Sequence, residues 1–376
     1  MIYDFVVIGA GMAGVSAAYE LAEHSKVLVV ESESQPGYHS TGRTAALFTP
    51  NFGNDLVRSI NLLGEAFFTK PPAPLVDSPL LKPRGALSVA ACGEDTELDQ
   101  LLLLSTPNHP IEEIAAADAL SIAPFLRAER VDRAVLELGV SDIEVATLLH
   151  SYLKGFNNRG GQLVTNEAVE SLKYKNGCWT ISTRKNTYQA KTIINAAGAW
   201  ADQVGALAGA LPIGLVAKRR TVIIIDATAG YEVGDLPLVE FASSGAYMKP
   251  DGGKLLASLG DATPTAPQDV QPEEMDVAVL ADRIQQETIM PVSRVLHRWA
   301  GLRSFVRDES PVVGYDISVP NFVWLAGQGG YGIMMAPTLA RTVAHLCFSG
   351  SLPADLLSAG IASCDLGAQR FAEPTV

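Results

Sequence analysis

The chain has 376 residues, 48% of them hydrophobic and 18% charged, a composition that describes a globular protein with a sizeable core and excludes a disordered one. Lys and Arg number 28 against 41 Asp and Glu, and the net charge of −13 argues against nucleic acid or an anionic membrane as the main partner, because both select basic surfaces. No apolar run approaches the roughly 18 residues needed to span a bilayer, and the start carries Asp4 where a leader would be basic, so a cytoplasmic protein is expected, with peripheral contact at an inner membrane left open.

An apolar strand from Phe5 to Ile8 runs straight into Gly9-Ala10-Gly11-Met12-Ala13-Gly14. Gly9 permits a tight turn, Gly11 lets backbone approach a pyrophosphate, and Gly14 lets the following helix pack on the strand. The helix start offers free N–H groups and a positive dipole end to phosphates. Val27 to Val30 form a second strand ending on Glu31, 22 positions beyond Gly9, where a carboxylate meets ribose hydroxyls. In this strand–turn–helix–strand–acid setting the glycines read as a dinucleotide site, where alone they would read as a structural turn.

Further along, Ser40 to Ala46 is a short polar and small segment. Between Leu80 and Val140 come a strand at Ala86 to Ala91 and a leucine-rich helix at Glu97 to Leu104. A second strand-then-glycine end is Thr192 to Asn195 running into Ala196-Ala197-Gly198-Ala199-Trp200. From Ile213 to Met290 four short β runs (Thr221 to Asp226, Leu236 to Phe241, Ala246 to Lys249, Lys254 to Ser258) predict an antiparallel sheet, and Glu273 to Thr288 predicts a helix. The third such end is Phe322 to Ala326 followed by Gly327-Gln328-Gly329-Gly330-Tyr331-Gly332 and a helix to about His345, with Pro337 expected in its first turn. Open α/β sheets place ligands at such strand ends. The fold class is therefore α/β: a Rossmann-like dinucleotide domain built from 1–79, 141–212 and 291–376, plus a substrate domain from 80–140 and 213–290 with a mixed or antiparallel sheet and flanking helices. Cys92, Cys178, Cys347 and Cys364 are scattered without a CxxC, and the six histidines are dispersed, so neither a disulfide framework nor a metal site is expected.

The three glycine sites in this order resemble the D-amino-acid oxidase and dehydrogenase family of flavoproteins over nearly the whole chain. Pro36 to Ala46, Lys218-Arg219-Arg220, Tyr247 to Asp251, Trp299 to Phe305 and Gly327 to Gly332 are most similar to the D-arginine dehydrogenases within it. The resemblance implies noncovalent FAD. Its pyrophosphate would lie on Gly9, Gly11, Met12, Ala13 and Gly14, and its ribose on Glu31. Ser40, Thr41, Arg43, Thr44, Ala45 and Ala46 would run beside the flavin. Val164 would pair backbone with adenine, and Ala197, Gly198 and Trp200 would complete the cofactor wall. Arg303 and the segment Gly329, Gly330, Tyr331, Gly332 and Ile333 would face the flavin, where a helix start stabilises negative charge arriving on the ring.

For the substrate, the resemblance implies that Arg303 receives the carboxylate, which a planar fork suits, with Tyr247 as a second donor. It selects Arg220 as the inward arginine, leaving Lys218 and Arg219 as a solvated basic turn, and gives the Gly330 carbonyl the substrate amine. His39 reads as structural, and no histidine reads as a general base. The pocket would include Leu47, Phe52, Ala86, Glu240 and Tyr331. Arginine-preferring members carry glutamate at Ala86, histidine at Leu47 and tyrosine at Phe52, so an apolar, neutral or broad side-chain preference is expected. Glu240 argues otherwise if it points inward, and strand alternation does not choose its face. The implied reaction is oxidative deamination of a D-amino acid to imino acid, then keto acid and ammonia. Secondary amines such as sarcosine, N-alkyl amino acids or 2-hydroxy acids are the alternative substrates, and a non-catalytic nucleotide-binding protein is the remote one. The electron acceptor, quinone or dioxygen, stays open.

Overall fold

The protein is described here from a computed structural model, which covers residues 1–73, 75–94, 96–227 and 233–371. Its first sheet has eight strands. Five are parallel, in the spatial order Gln162–Val164, Val27–Val30, Ile2–Ile8, Thr187–Asn195 and Phe322–Ala326. The sequence alternation sorts their side chains cleanly. Phe5, Val7, Val27, Val29 and Ile194 join the core on one face, and Val6, Ile8, Leu28, Val30 and Ile193 join that on the other. Strands buried on both faces read as continuous apolar runs, which is why they were legible. Ile2–Ile8, Thr187–Asn195 and Phe322–Ala326 are direct neighbours, so the three glycine-punctuated ends lie side by side.

The second sheet has nine strands. It is mixed: Leu238–Phe241 runs parallel to Ala86–Ala90 and antiparallel to Ala246–Asp251. One face is apolar and is covered by the helices Ala116–Ile122 and Glu274–Glu287. The other face turns towards the first sheet. The expected cut at residue 291 does not follow this sheet, because Val295–Phe305 pairs along the whole of Val216–Ile225 and then bridges back through Ser304 to Gly329. A three-stranded ribbon of Leu47–Phe48, Ser141–Ile143 and Leu81–Pro83 ties the halves together.

The closing helix, Gly332–Ser349, is longer than expected, and Pro337 lies inside it as its sixth residue, not in the first turn. Its ring removes the N–H that would bond the Ile333 carbonyl. Buried apolar residues around it, from Met334 to Leu346, hold the helix regardless.

Candidate functional site

A cavity of about 530 Å³ opens across the carboxyl ends of the parallel strands, bounded by Ile8, Val30, Ala196 and Leu325 and by the three glycine turns. It extends to the second sheet, where Arg220, Val222, Tyr247 and Leu302 form the opposite wall.

At one end the wall is main chain. Gly9 has φ +103°, and a Cβ on Gly14 would run into the Gly9 carbonyl. A Cβ on Gly11 would meet only Thr41 Oγ1, at 3.4 Å, so its approach stays open to a ligand. The helix Met12–Leu21 starts without a side-chain cap or an acid in its first turn, as does Gly332–Ser349. By contrast Asp55–Thr69, away from the cavity, is capped by Asn54, whose side chain accepts from Val57 N–H at 3.0 Å. Starts whose N-cap residues offer no side-chain acceptor leave a positive end and donors facing the cavity, Met12 N–H excepted because Thr41 takes it. The buried Glu31 carboxylate accepts from the Ala10 and Glu33 N–H groups at 2.6 and 2.8 Å. Thr41 Oγ1 accepts from Met12 N–H at 3.0 Å, joining Ser40–Arg43 to the first turn. Buried Gln328 Nε2, in a residue lining the cavity, has no hydrogen-bond partner among the described residues.

At the other end the wall is side chain. Alternation along Val216–Ile225 and Val295–Phe305 sends Arg220 and Arg303 to the cavity face. Arg303 packs on the third turn: a Cβ on Gly330 would come within 2.9 Å of its Nη1. The acids nearest in sequence are engaged elsewhere, Asp308 with Arg370 and Glu309 with Lys218. Burial, then the adjacent Arg303, pushes Arg220 down to about 10.

The structure brings Gly9, Gly11, Met12, Ala13, Glu31, Ser40, Thr41, Arg43, Thr44, Ala45, Ala197, Gly198, Trp200, Arg220, Tyr247, Arg303, Gly329, Gly330, Gly332 and Ile333 to one cavity. Others it places differently. Val164 does not line it, because its carbonyl accepts from Glu31 N–H at 2.9 Å; Glu167, Ala168 and Val169 stand there. Gly14 and Ala46 lie behind the wall. Arg43 lines the cavity but engages its guanidinium with the Tyr38, Val270 and Ala300 carbonyls and with Asp269. Arg219 is no solvated turn: it is buried against Glu273 and Asp276. Tyr331 is buried beneath Phe52, ring centroids 5.1 Å apart, and neither lines the cavity. Leu47 and Ala86 join Val140 and Leu238 in a small apolar cluster behind Tyr247. Glu240 sits beside Tyr247 on the adjacent strand, and burial, then Glu137, pushes it up to about 7 against the pull of Arg220. Gln328 and the Glu167–Val169 turn were missed. Gln328 stood in view between the glycines, whereas nothing local marks the turn. His39 lines the cavity, its Nε2 3.0 Å from Glu33 and its ring 4.6 Å from that of Trp200. Among the described residues there is no His/Cys/Asp/Glu group able to hold a metal, and no helix is long and apolar enough to cross a membrane.

Residues 4–346 match the family described as FAD dependent oxidoreductase. The chain is 22% identical over 366 residues to a glycine oxidase from Geobacillus kaustophilus, covering 92% of each. It is 23% identical to a mitochondrial dimethylglycine dehydrogenase from Mus musculus, covering 94% of this chain but 43% of that one, so it spans less than half the length of that relative. The crystal structure of the Geobacillus kaustophilus glycine oxidase superposes with a TM-score of 0.80 at 21% identity, covering 92% of this chain and 94% of that one. An L-alpha-glycerophosphate oxidase from Mycoplasma pneumoniae with FAD bound superposes at 0.83 and 19%, covering 92% and 95%.

Proposed function

Since this chain belongs to the family of FAD-dependent oxidoreductases, we propose that it oxidatively deaminates an α-amino acid, of the D configuration, in the manner of a dehydrogenase. The cofactor is FAD, and the open Gly11 approach, two uncapped helix starts and unpartnered Gln328 amide fit it. FAD supplies the acceptor for the hydride that leaves the substrate Cα.

One observation carries the substrate class: the Arg303 guanidinium lies in the cavity against the Gly330 backbone, with no ion pair to any described acid. A half-buried fork that no carboxylate occupies is ready to receive one. Tyr247 adds a donor beside it, and Arg220 adds positive charge to the same wall. The Gly330 carbonyl, in a residue that lines the cavity, is the acceptor assigned to the substrate amine in this reading. Holding carboxylate and amine fixes Cα between two walls, and position supplies most of the rate. The resulting imino acid is hydrolysed by water to keto acid and ammonia.

The D configuration is supported by the resemblance of Tyr247 to Asp251 and Trp299 to Phe305 to D-arginine dehydrogenases. A second reading, a secondary amine or N-substituted glycine, is favoured by relatives named for glycine and dimethylglycine. An anaerobic stopped-flow survey of both enantiomers of the amino acids, with sarcosine and 2-hydroxy acids alongside, tests both. Flavin bleaching by D-amino acids is the expected result. Bleaching by L-isomers alone overturns the stereochemistry, and bleaching by sarcosine alone selects the second reading.

A further inference from the structure

The cavity face of the second sheet is a row of cross-strand neighbours: Val222, Ser258, Tyr247, Glu240 and Ser88. Partners in register project to the same side. Glu240 therefore stands, half-buried, on the sheet face that carries Tyr247 to the cavity, one strand beyond the residues that bound it. Two residues along, the next row holds Lys249, Leu238, Ala86 and Glu137.

The charges in these rows are not equally satisfied. Lys249 Nζ lies 2.5 Å from Asp142, which also takes Arg84 at 2.6 Å. Glu137 accepts from Asn51 Nδ2 at 3.0 Å. The Glu240 carboxylate makes no hydrogen bond or ion pair with any described residue, and burial and Glu137 both disfavour its charge. Across Tyr247, Arg220 has a buried Nε with no partner. The wall thus runs from two guanidinium groups, past one tyrosine, to a carboxylate still lacking a cation. A half-buried carboxylate without a cation partner is stabilised when a complementary ligand charge arrives beside it.

We propose that Glu240 is a specificity residue, taking a cationic group (ammonium or guanidinium) on the side chain of the amino acid whose carboxylate Arg303 holds. This rests on the amino-acid reading given above. Ala86, which offers a cation nothing, is compensated from the neighbouring strand, and Glu137 behind Glu240 deepens the negative potential.

The test uses the FAD-loaded protein and two carboxylates that carry no α-amine, ε-aminocaproate and caproate, titrated by perturbation of the flavin absorbance. Neither can be deaminated at Cα, so recognition is read apart from turnover. The aminated ligand should bind about tenfold tighter or better, a charge-assisted hydrogen bond's worth, and Glu240→Gln should abolish the difference while leaving caproate unchanged. In turnover, kcat/KM for D-lysine over D-norleucine should fall by a similar factor, and Glu240→Leu should invert the preference. Flavin content confirms that each variant is folded. Equal binding of the two ligands to the unaltered protein overturns the proposal. So does a Glu240→Gln variant that weakens both alike, since Glu240 would then only balance Arg220. A protein that binds neither ligand and oxidises D-norleucine as readily as D-lysine overturns it too. A binding difference retained without oxidation of any amino acid leaves the specificity claim standing and sinks the deamination reading instead.

Discussion

The two ends of the cavity are made of different material. The nucleotide end is backbone: glycine turns, uncapped helix starts, and amides that Glu31 and Thr41 tie together. The substrate end is side chain: Arg220, Tyr247 and Arg303 on paired strands, with Glu240 in register beside Tyr247. A backbone site is specified by what must be missing, namely a Cβ. A side-chain site is specified by which of two strand faces is turned inward. The first kind tolerates almost no substitution, whereas the second allows each residue to be exchanged on an intact frame.

Breaking the backbone end should have the largest effect. Gly14→Val places atoms where the Gly9 carbonyl stands, so the variant should contain no flavin and melt far below the parent, as the flavin-to-protein absorbance ratio and a thermal melt would report. Gly11→Ala sharpens the point, because its Cβ meets only Thr41 Oγ1 at 3.4 Å. It should keep the parent's melting temperature as apoprotein and bind FAD more weakly. Unchanged FAD affinity would show that the cofactor does not pass close to Gly11. On the other wall, Arg303→Ala should retain FAD and lose about 10²–10³-fold in kcat/KM, mainly through KM. Steady-state kinetics with intact flavin content check this, and unaltered KM would remove the carboxylate clamp.

The same contrast decides what the sequence could tell. The ends after Ile8, Asn195 and Ala326 were readable because apolar runs and glycines are local signals, and the three strands proved adjacent. The pairing of Val295–Phe305 with Val216–Ile225 was not readable, since register between distant strands leaves no local mark. Arg220 and Arg303 were legible only through resemblance. Glu240 shows why: alternation sorts it with Leu238 but names no inside, and the answer needed Tyr247 in register next to it. Arg219 failed as a solvated residue for a related reason, because the acids that bury it sit on or beside a helix far along the chain.

Arg219 therefore offers a third, smaller test of the frame beneath the side-chain wall. It is 6% exposed, tied to Glu273 and Asp276, with Asp261 3.9 Å from its Nε. Removing the buried guanidinium leaves Asp276 and Asp261 uncompensated, whereas the largely exposed Glu273 turns to solvent, so the cost falls below the roughly 3–5 kcal/mol of a fully buried pair. Arg219→Ala should thus lower the denaturant midpoint clearly. Its side chain points away from the cavity, so KM should hold at temperatures where the variant is folded. A large KM change at unaltered stability would place Arg219, not Arg220, on the inner face.

The smallest effect is in pH. Burial and Glu137 raise Glu240 to about 7, with Arg220 opposing, so the carboxylate is neutral below that value and charged above it. The groups facing it are Glu137, itself raised by burial, then Arg220 and Tyr247, with the Lys249–Asp142 pair alongside. Arg220, lowered only to about 10, keeps its charge throughout the window. Only ionised Glu240 attracts a cation, so discrimination should be lost as pH falls through about 7 and should level off above it. The ratio of kcat/KM for D-lysine to that for D-norleucine isolates this, because ionisation of the α-amine and of the shared wall enters both terms. From pH 6 to 8 the ratio should rise about tenfold, and in Glu240→Gln it should be flat. A parental ratio that stays flat, with D-lysine still preferred, would mean that the distal cation is held by a group ionised throughout this range, and Glu240 would lose its role.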